Sequence, residues 1–394
     1  MEPKNDSRTV REPDVTGMSN YRELDARYYQ PVFSREIQIV RGSGARVWDA
    51  EGREYLDCVA GIAVCSTGHC HPEVVEAICR QARELIHCSN LYYVPGQGEL
   101  AADLSRVTGM GKVFLANSGA EATEAAIKLA RVRTGRKRFV AFTHGFHGRT
   151  TGALAVTHKP AIREPFEPLE PKCTFVEYGD LDGFRKAVDN DTAGVFVEPI
   201  QGEAGVIIPP DGFLEGVREA CDAKGVLLIA DEVQSGMGRT GRWLALHHTR
   251  VQADIVTLAK GIASGFPVGA MVAREGLEFT KGEHGSTFAG GPLACAAARA
   301  TLRVIEQLLP GVEAKGERFR RGLARHKPRV RGLLIGITAG DRCPEVQKRC
   351  MARGVLVNCA ADGNLRLVPP LVISEQEIDT AVGVIDEALG PGVL

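Results

Sequence analysis

No run of apolar residues in this chain reaches the roughly 18 that a membrane-crossing helix needs. Residues 1–20 lack the apolar core of a signal peptide and are expected to be a disordered lead-in, which points to a cytoplasmic protein. Neither sign of charge predominates: 48 basic and 49 acidic residues leave a formal net charge of −1. That balance gives no electrostatic reason to expect nucleic acid or an anionic membrane as partner. The eleven cysteines include no CxxC pair, and their odd number without an export signal reads as reduced thiols, most of them small core residues. No Walker-type phosphate loop occurs. The glycine-rich run from Gly236 to Arg242 follows an Asp-Glu pair and opens no helix, so nucleotide binding is poorly supported. His69-Cys70-His71 has the residue types of a metal site, but adjacent residues rarely converge on one ion and Pro72 reads as a helix start, so no metal is expected.

The chain is long enough for a large domain and a smaller one. Residues 46–57 have the pattern of a β-hairpin turning at Asp49 to Gly52, and residues 71–85 carry apolar residues at helical spacing. From about Gly111, short apolar runs alternate with helical patterns: 112–116, 138–142, 174–177, 194–198, 226–230, 255–258 and 268–273. That rhythm predicts an α/β protein whose mostly parallel sheet is covered by helices on both faces. Beyond Ser286 the strand signals weaken, and a smaller α+β domain is expected. The division is residues 21–57 joining the small domain, 58–290 as the large domain and 291–394 as the small one.

Ligands of open α/β sheets bind beyond the carboxyl ends of the strands, so the residues there are the ones to read. After the 112–116 run comes Asn117-Ser118-Gly119-Ala120-Glu121, opening a helix whose first N–H groups could hold an anion, or which is simply Ser-capped. Asp231 and Glu232 end another run, and Lys260 ends a third, where a lysine either has a depressed pKa or reaches solvent. An acid, a lysine and an anion-binding helix start at the ends of one sheet meet the needs of pyridoxal phosphate (PLP): a carboxylate for its ring nitrogen, an amine for its aldehyde and a cup for its phosphate.

The chain resembles the class III aminotransferases of PLP fold type I from about Tyr28 to its C-terminus. The likeness is carried by the segments 60–64 (AGIAV), 68–72 (GHCHP), 89–93 (SNLYY), 117–122 (NSGAEA), 146–149 (FHGR), 198–203 (EPIQGE), 231–236 (DEVQSG), 257–261 (TLAKG), 284–287 (HGST) and 365–370 (LRLVPP). The resemblance implies PLP as cofactor, with Lys260 as the catalytic lysine and Asp231 at the ring nitrogen. It further implies Gln234 at the ring hydroxyl, Phe146 on the ring face, and Gly119 and Ala120 on the phosphate. Glu232 and Val233, from the same segment as Asp231, are counted with the cofactor-binding residues. Arg149 is expected to take the distal carboxylate of the substrate and Arg366 the α-carboxylate of glutamate, with Glu203 masking Arg366 when the other substrate is bound. Ser286 and Thr287 look like the pair that reaches substrate and phosphate from a partner subunit, which implies a homodimer with shared active sites. The partners so implied are a small-molecule amino donor, N2-acetylornithine before other ω-amines, and 2-oxoglutarate. Gly291, Ala204 and Met237 depart from the family's usual residues and leave room for a different donor.

Overall fold

The structure, a computed structural model, describes residues 21–391; the lead-in at 1–20 lies outside the described residues. The expected hairpin is present. β1 (Ile39–Ser43), β2 (Arg46–Asp49) and β3 (Glu54–Asp57) run antiparallel in succession. Gly52, at φ +82, closes the turn by donating its N–H to the Asp49 carbonyl at 3.1 Å; few residues other than glycine adopt that angle.

The central sheet has seven strands: β4 (Val113–Ala116), β5 (Arg138–Phe142), β6 (Cys173–Val176), β7 (Thr192–Val197), β8 (Leu227–Asp231), β9 (Ile255–Leu258) and β10 (Gly269–Ala273). Their order is β4-β10-β9-β8-β7-β5-β6. Every residue of β7 through β10 is buried, which is why these strands read as unbroken apolar runs instead of alternating ones. The sheet is mixed: β10 runs antiparallel to both of its neighbours, β4 and β9. Only ten residues join β9 to β10, too few for the helical crossover a parallel return needs.

The C-terminal part has its own antiparallel sheet of β11 (Arg329–Arg331), β12 (Leu334–Thr338), β14 (Asn358–Cys359) and β15 (Asn364–Leu367), in the order β11-β12-β15-β14. β13 (Val355–Leu356) instead pairs in parallel with β3, stitching this part to the N-terminal hairpin. A helix of 31 residues, Pro292–Gly322, runs on through Pro310. The cysteine expectation needs correcting. Cys343 and Cys359 form a disulfide with Cα atoms 5.9 Å apart, while the other nine cysteines are free. A buried helix start and an edge strand bring together two thiols 16 residues apart, a meeting that sequence spacing does not announce. No helix among the described residues is long and apolar enough to cross a membrane.

Candidate functional site

The carboxyl ends of β4, β5, β7, β8 and β9 open on one edge of the sheet, and the chain that follows each strand lines a cavity of about 350 Å³. β4 delivers Ser118 to Ala120, β5 delivers Phe146 and His147, β7 delivers Glu198 and Glu203, β8 delivers Asp231 to Gln234, and β9 delivers Lys260. An adjoining cavity of about 600 Å³ shares Phe146, Glu203 and Lys260 with the first, and adds Arg149, Ile62 and the segment from Cys359 to Asp362.

One wall is fixed by the backbone. Asp231 accepts from Val233 N–H at 3.0 Å on one oxygen and meets His147 Nδ1 at 2.7 Å on the other. His147 is itself held at both ends of its peptide: its N–H donates to Thr157 Oγ1 at 2.8 Å and its carbonyl accepts from Thr123 Oγ1 at 2.9 Å. Burial alone would push the imidazole pKa down, yet the Asp231 carboxylate reverses this and raises it. His147 and Asp231 therefore form a buried, charge-assisted pair at the end of β8. Sequence reasoning quoted His147 without giving it a task; its place between Phe146 and Arg149 was the available signal. Glu198 was also missed. Its oxygens accept from Phe146 N–H at 2.9 Å and Gly202 N–H at 3.0 Å, and burial pushes its pKa up to about 7.

At the start of the Gly119–Thr134 helix, Ser118 caps the Glu121 N–H at 3.2 Å. The first N–H groups of a helix have no acceptor within it and carry its positive end. At Gly119 an added Cβ would meet Val233 at 3.1 Å, so glycine keeps this cup open. Lys260 has φ +47, a sparsely populated angle for a side-chain-bearing residue, in the short turn after β9. Burial lowers the pKa of its amine; Glu203, opposing, raises it, and Arg366 lowers it further. The amine is thus easier to hold neutral than that of a surface lysine.

The other wall is made of side chains. Arg366, on β15, is 1% exposed. Its Nη1 donates to Glu203 Oε1 at 2.6 Å, Gly202 O at 3.1 Å and Gln234 Oε1 at 3.1 Å, and its Nη2 donates to Asn358 Oδ1 at 2.6 Å. Burial would raise the Glu203 pKa, but Arg366 and Lys260 together bring it below the usual carboxylate value.

Four expected site residues stand elsewhere. Glu232 is buried but faces away from the cavity: its carboxylate accepts from Ser235 Oγ at 2.5 Å, Ala245 N–H at 3.0 Å and Leu246 N–H at 2.8 Å. Its side chain anchors the following loop, because successive strand-end residues point to opposite sides. Ser286, whose Oγ accepts from Asn117 Nδ2 at 3.1 Å, and the exposed Thr287 do not line the chain's own cavity. Arg149 is exposed and lines the outer cavity, which Arg366 does not line. Of the family departures, Ala204 and Met237 are buried and Gly291 caps the Pro292–Gly322 helix.

The donor set fits one group well. An amine with a lowered pKa, a carboxylate backed by histidine, free helix N–H groups and a phenylalanine surround a space of cofactor size. The comparisons agree. The family profile described as "Aminotransferase class-III" matches residues 28–389. Acetylornithine aminotransferase of Methanosarcina mazei is 51% identical over 382 residues, covering 94% of this chain and 97% of its own. The Methanopyrus kandleri protein of the same name is 53% identical over 93% and 98%. The crystal structure of the ornithine aminotransferase from Toxoplasma gondii superposes with a TM-score of 0.91 at 33% identity, over 96% of this chain and 98% of that one. Fold and site are those of a PLP-dependent enzyme. The chain belongs to the class III aminotransferases.

Proposed function

We propose that this transaminase moves the δ-amino group of N2-acetylornithine to 2-oxoglutarate, giving N-acetylglutamate 5-semialdehyde and glutamate, a step of arginine biosynthesis, as a cytoplasmic homodimer. The observation that carries the reading is the Glu203–Arg366 pair beside Lys260. The donor presents a bare carbon chain next to its reacting amine, whereas glutamate presents a carboxylate there. A buried arginine left uncovered would be costly against the first and attractive to the second. Glu203 covers Arg366 for the donor, and its departure offers the guanidinium to the α-carboxylate of glutamate, while Arg149 takes the distal carboxylate in both cases. Relatives at 41–53% identity carry the acetylornithine aminotransferase name, and this favours that donor over the ornithine of the structural neighbour.

Lys260, Asp231, Phe146, Gln234, Val233, Gly119 and Ala120 would hold PLP, which when bound supplies an aldehyde for amines and an electron-accepting ring. Asp231, braced by His147 at 2.7 Å, would hold a proton at the ring nitrogen. Phe146 would cover the ring, and the helix start at Gly119 and Ala120 would take the phosphate. Lys260 Nζ, whose pKa burial lowers, would act as the general base that removes the proton from the carbon bearing the transferred amine. We assign the cofactor site to a large domain of residues 58–290, with 21–57 and 291–394 forming a small one.

The homodimer reading rests on the surface beside Thr287. Ile86, Leu91, Tyr92, Tyr93 and Phe288 are each more than 60% exposed, and Asn90 ties them to the Ser286 loop by donating to Ser286 O at 3.0 Å. A patch of that size on an isolated chain marks a partner surface. Mixing inactive Lys260→Ala and Thr287→Ala protomers should then restore activity in heterodimers; verified exchange without recovery refutes the shared site. The donor is tested by following glutamate formation from 2-oxoglutarate with acetylornithine, succinylornithine, ornithine and 4-aminobutyrate in turn. Preference for any donor but acetylornithine overturns the assignment.

A further inference from the structure

The register of the C-terminal sheet puts Arg366 between two unlike neighbours. Gly336 of β12 lies opposite it on one side, and Asn358 of β14 on the other. Directly opposite residues of antiparallel strands project from the same face, so these are the positions that can touch the guanidinium from within the sheet. Gly336 offers nothing, and cannot: an added Cβ there would lie 2.1 Å from Gly205 O, because the loop that carries Glu203 packs on this spot. Asn358 therefore stands alone as the cross-strand side chain beside Arg366, and its Oδ1 accepts from Nη2 at 2.6 Å.

The two ends of the guanidinium are unequally served. Nη1 has three acceptors, Glu203, Gly202 O and Gln234, and these belong to the loops that bound the cofactor cavity. Nη2 has Asn358, and no cofactor-side group. When Glu203 leaves, Nη1 gains an open position while Nη2 keeps its partner. Asn358 is well anchored for this. Its Nδ2 donates to Cys359 O at 3.2 Å, and the Cys359 N–H donates to Gln347 Oε1 at 3.3 Å. Cys359, facing the other side of the strand, is covalently bound to Cys343 at the start of the Cys343–Ala352 helix. A two-residue strand at the edge of a sheet, paired on one side with β15 alone, is thus tied to a helix by two bonds.

We propose that Asn358 is a positioning residue for substrate exchange: it fixes the plane of the Arg366 guanidinium, so that the Nη1 edge alone passes between Glu203 and the substrate carboxylate. The proposal rests on the reading of Arg366 as the carboxylate-binding arginine. Asn358 holds the arginine while both substrates come and go, which confines the change between half-reactions to one side chain. A fixed guanidinium binds a planar carboxylate in a set geometry, and one free to rotate loses that preorganisation.

The test uses cofactor-loaded enzyme and glutarate, a dicarboxylate that binds like 2-oxoglutarate but cannot react. Calorimetric Kd values are compared for the parent, Asn358→Ala, Asn358→Asp and Arg366→Ala, with single-turnover rates of both half-reactions and a melting curve for each. Asn358→Ala should weaken glutarate and raise the 2-oxoglutarate KM about tenfold, the effect of one charge-assisted hydrogen bond, with the acetylornithine KM changed less than about twofold. The nearly isosteric Asn358→Asp places a second acid on Arg366; in a Glu203→Ala background it should recover part of the lost acetylornithine half-reaction, which a merely structural asparagine would not do. Should Asn358→Ala fail to fold, Asn358→Asp carries the test. Unchanged glutarate affinity at Asn358 with a large loss in Arg366→Ala overturns this proposal and leaves the arginine assignment standing. Unchanged affinity in Arg366→Ala overturns both.

Discussion

The two walls of the cavity are built from different kinds of bond. On the Asp231 side, the carboxylate and His147 are tied to a backbone N–H and to threonine hydroxyls, namely Val233 N–H, Thr157 Oγ1 and Thr123 Oγ1. On the Arg366 side, the contacts that matter join one side chain to another, Glu203 and Gln234 from two loops and Asn358 from the neighbouring strand, around one guanidinium. Backbone-anchored groups keep one geometry, whereas side-chain pairs exchange at the cost of a rotamer change. The difference matches what a two-substrate reaction asks for. The cofactor's surroundings must be the same in both halves, and only the substrate's end must alternate.

The comparison breaks hardest at Lys260. Lys260→Ala should lose transamination and the visible absorbance of bound cofactor together, with the melting temperature preserved; retained absorbance refutes its place on the cofactor wall. Asp231→Asn keeps the shape but removes the charge opposite His147 and the ring nitrogen. Turnover should fall by several orders of magnitude in both half-reactions alike, since the fixed wall serves both. An effect confined to one half-reaction would dissolve the distinction between the walls.

The alternating wall should respond in the opposite manner. Glu203→Ala is expected to slow the acetylornithine half-reaction by about 1–2 kcal/mol while sparing or favouring the glutamate one, and Arg366→Ala to do the reverse. The figure lies below the cost of breaking a fully buried pair because 34% of the Glu203 side chain faces open space. Single-turnover measurements of each half-reaction separate this from a loss of stability, and equal slowing of both by Glu203→Ala removes the gate.

The smallest effect is expected behind both walls, in a support and not a contact. Asp57 caps the N–H groups of Val59 and Ala60 at 2.8 and 2.9 Å, where the chain enters a left-handed turn with φ +48, +65, +63 and +62 at residues 60–63 before Val64 lines the cavity. Its other oxygen holds His69 Nε2 at 2.8 Å, and this bond, together with the neighbouring Cys65 and against the pull of burial, raises the histidine pKa from 6.5 to about 10. A raised folded-state pKa means stability fully present below the unfolded value near 6.5 and lost as pH climbs through about 10. His69→Asn should therefore flatten the decline of melting temperature across that window; an unchanged slope would show that the pair contributes nothing to the fold.

Much of this could be read in the sequence because it rests on local rules. Continuous apolar runs gave strands of a covered sheet, Gly52 gave the hairpin turn, and the strand-end positions of Gly119, Asp231 and Lys260 gave the cofactor wall without any knowledge of pairing. What the tertiary structure decided is what depends on residues meeting from afar. The short connection after β9 turns β10 back antiparallel, but its insertion between β9 and β4 is not written in its composition. Glu232 was misplaced because sequence spacing does not tell which of two adjacent acids faces the cavity. Cys343 meets Cys359 where a helix start packs against an edge strand, and Asn358 meets Arg366 through the register of a strand pair too short to show in any sequence pattern. Local chemistry writes the strand ends into the sequence; the partners across a sheet are chosen by the packing of the whole chain.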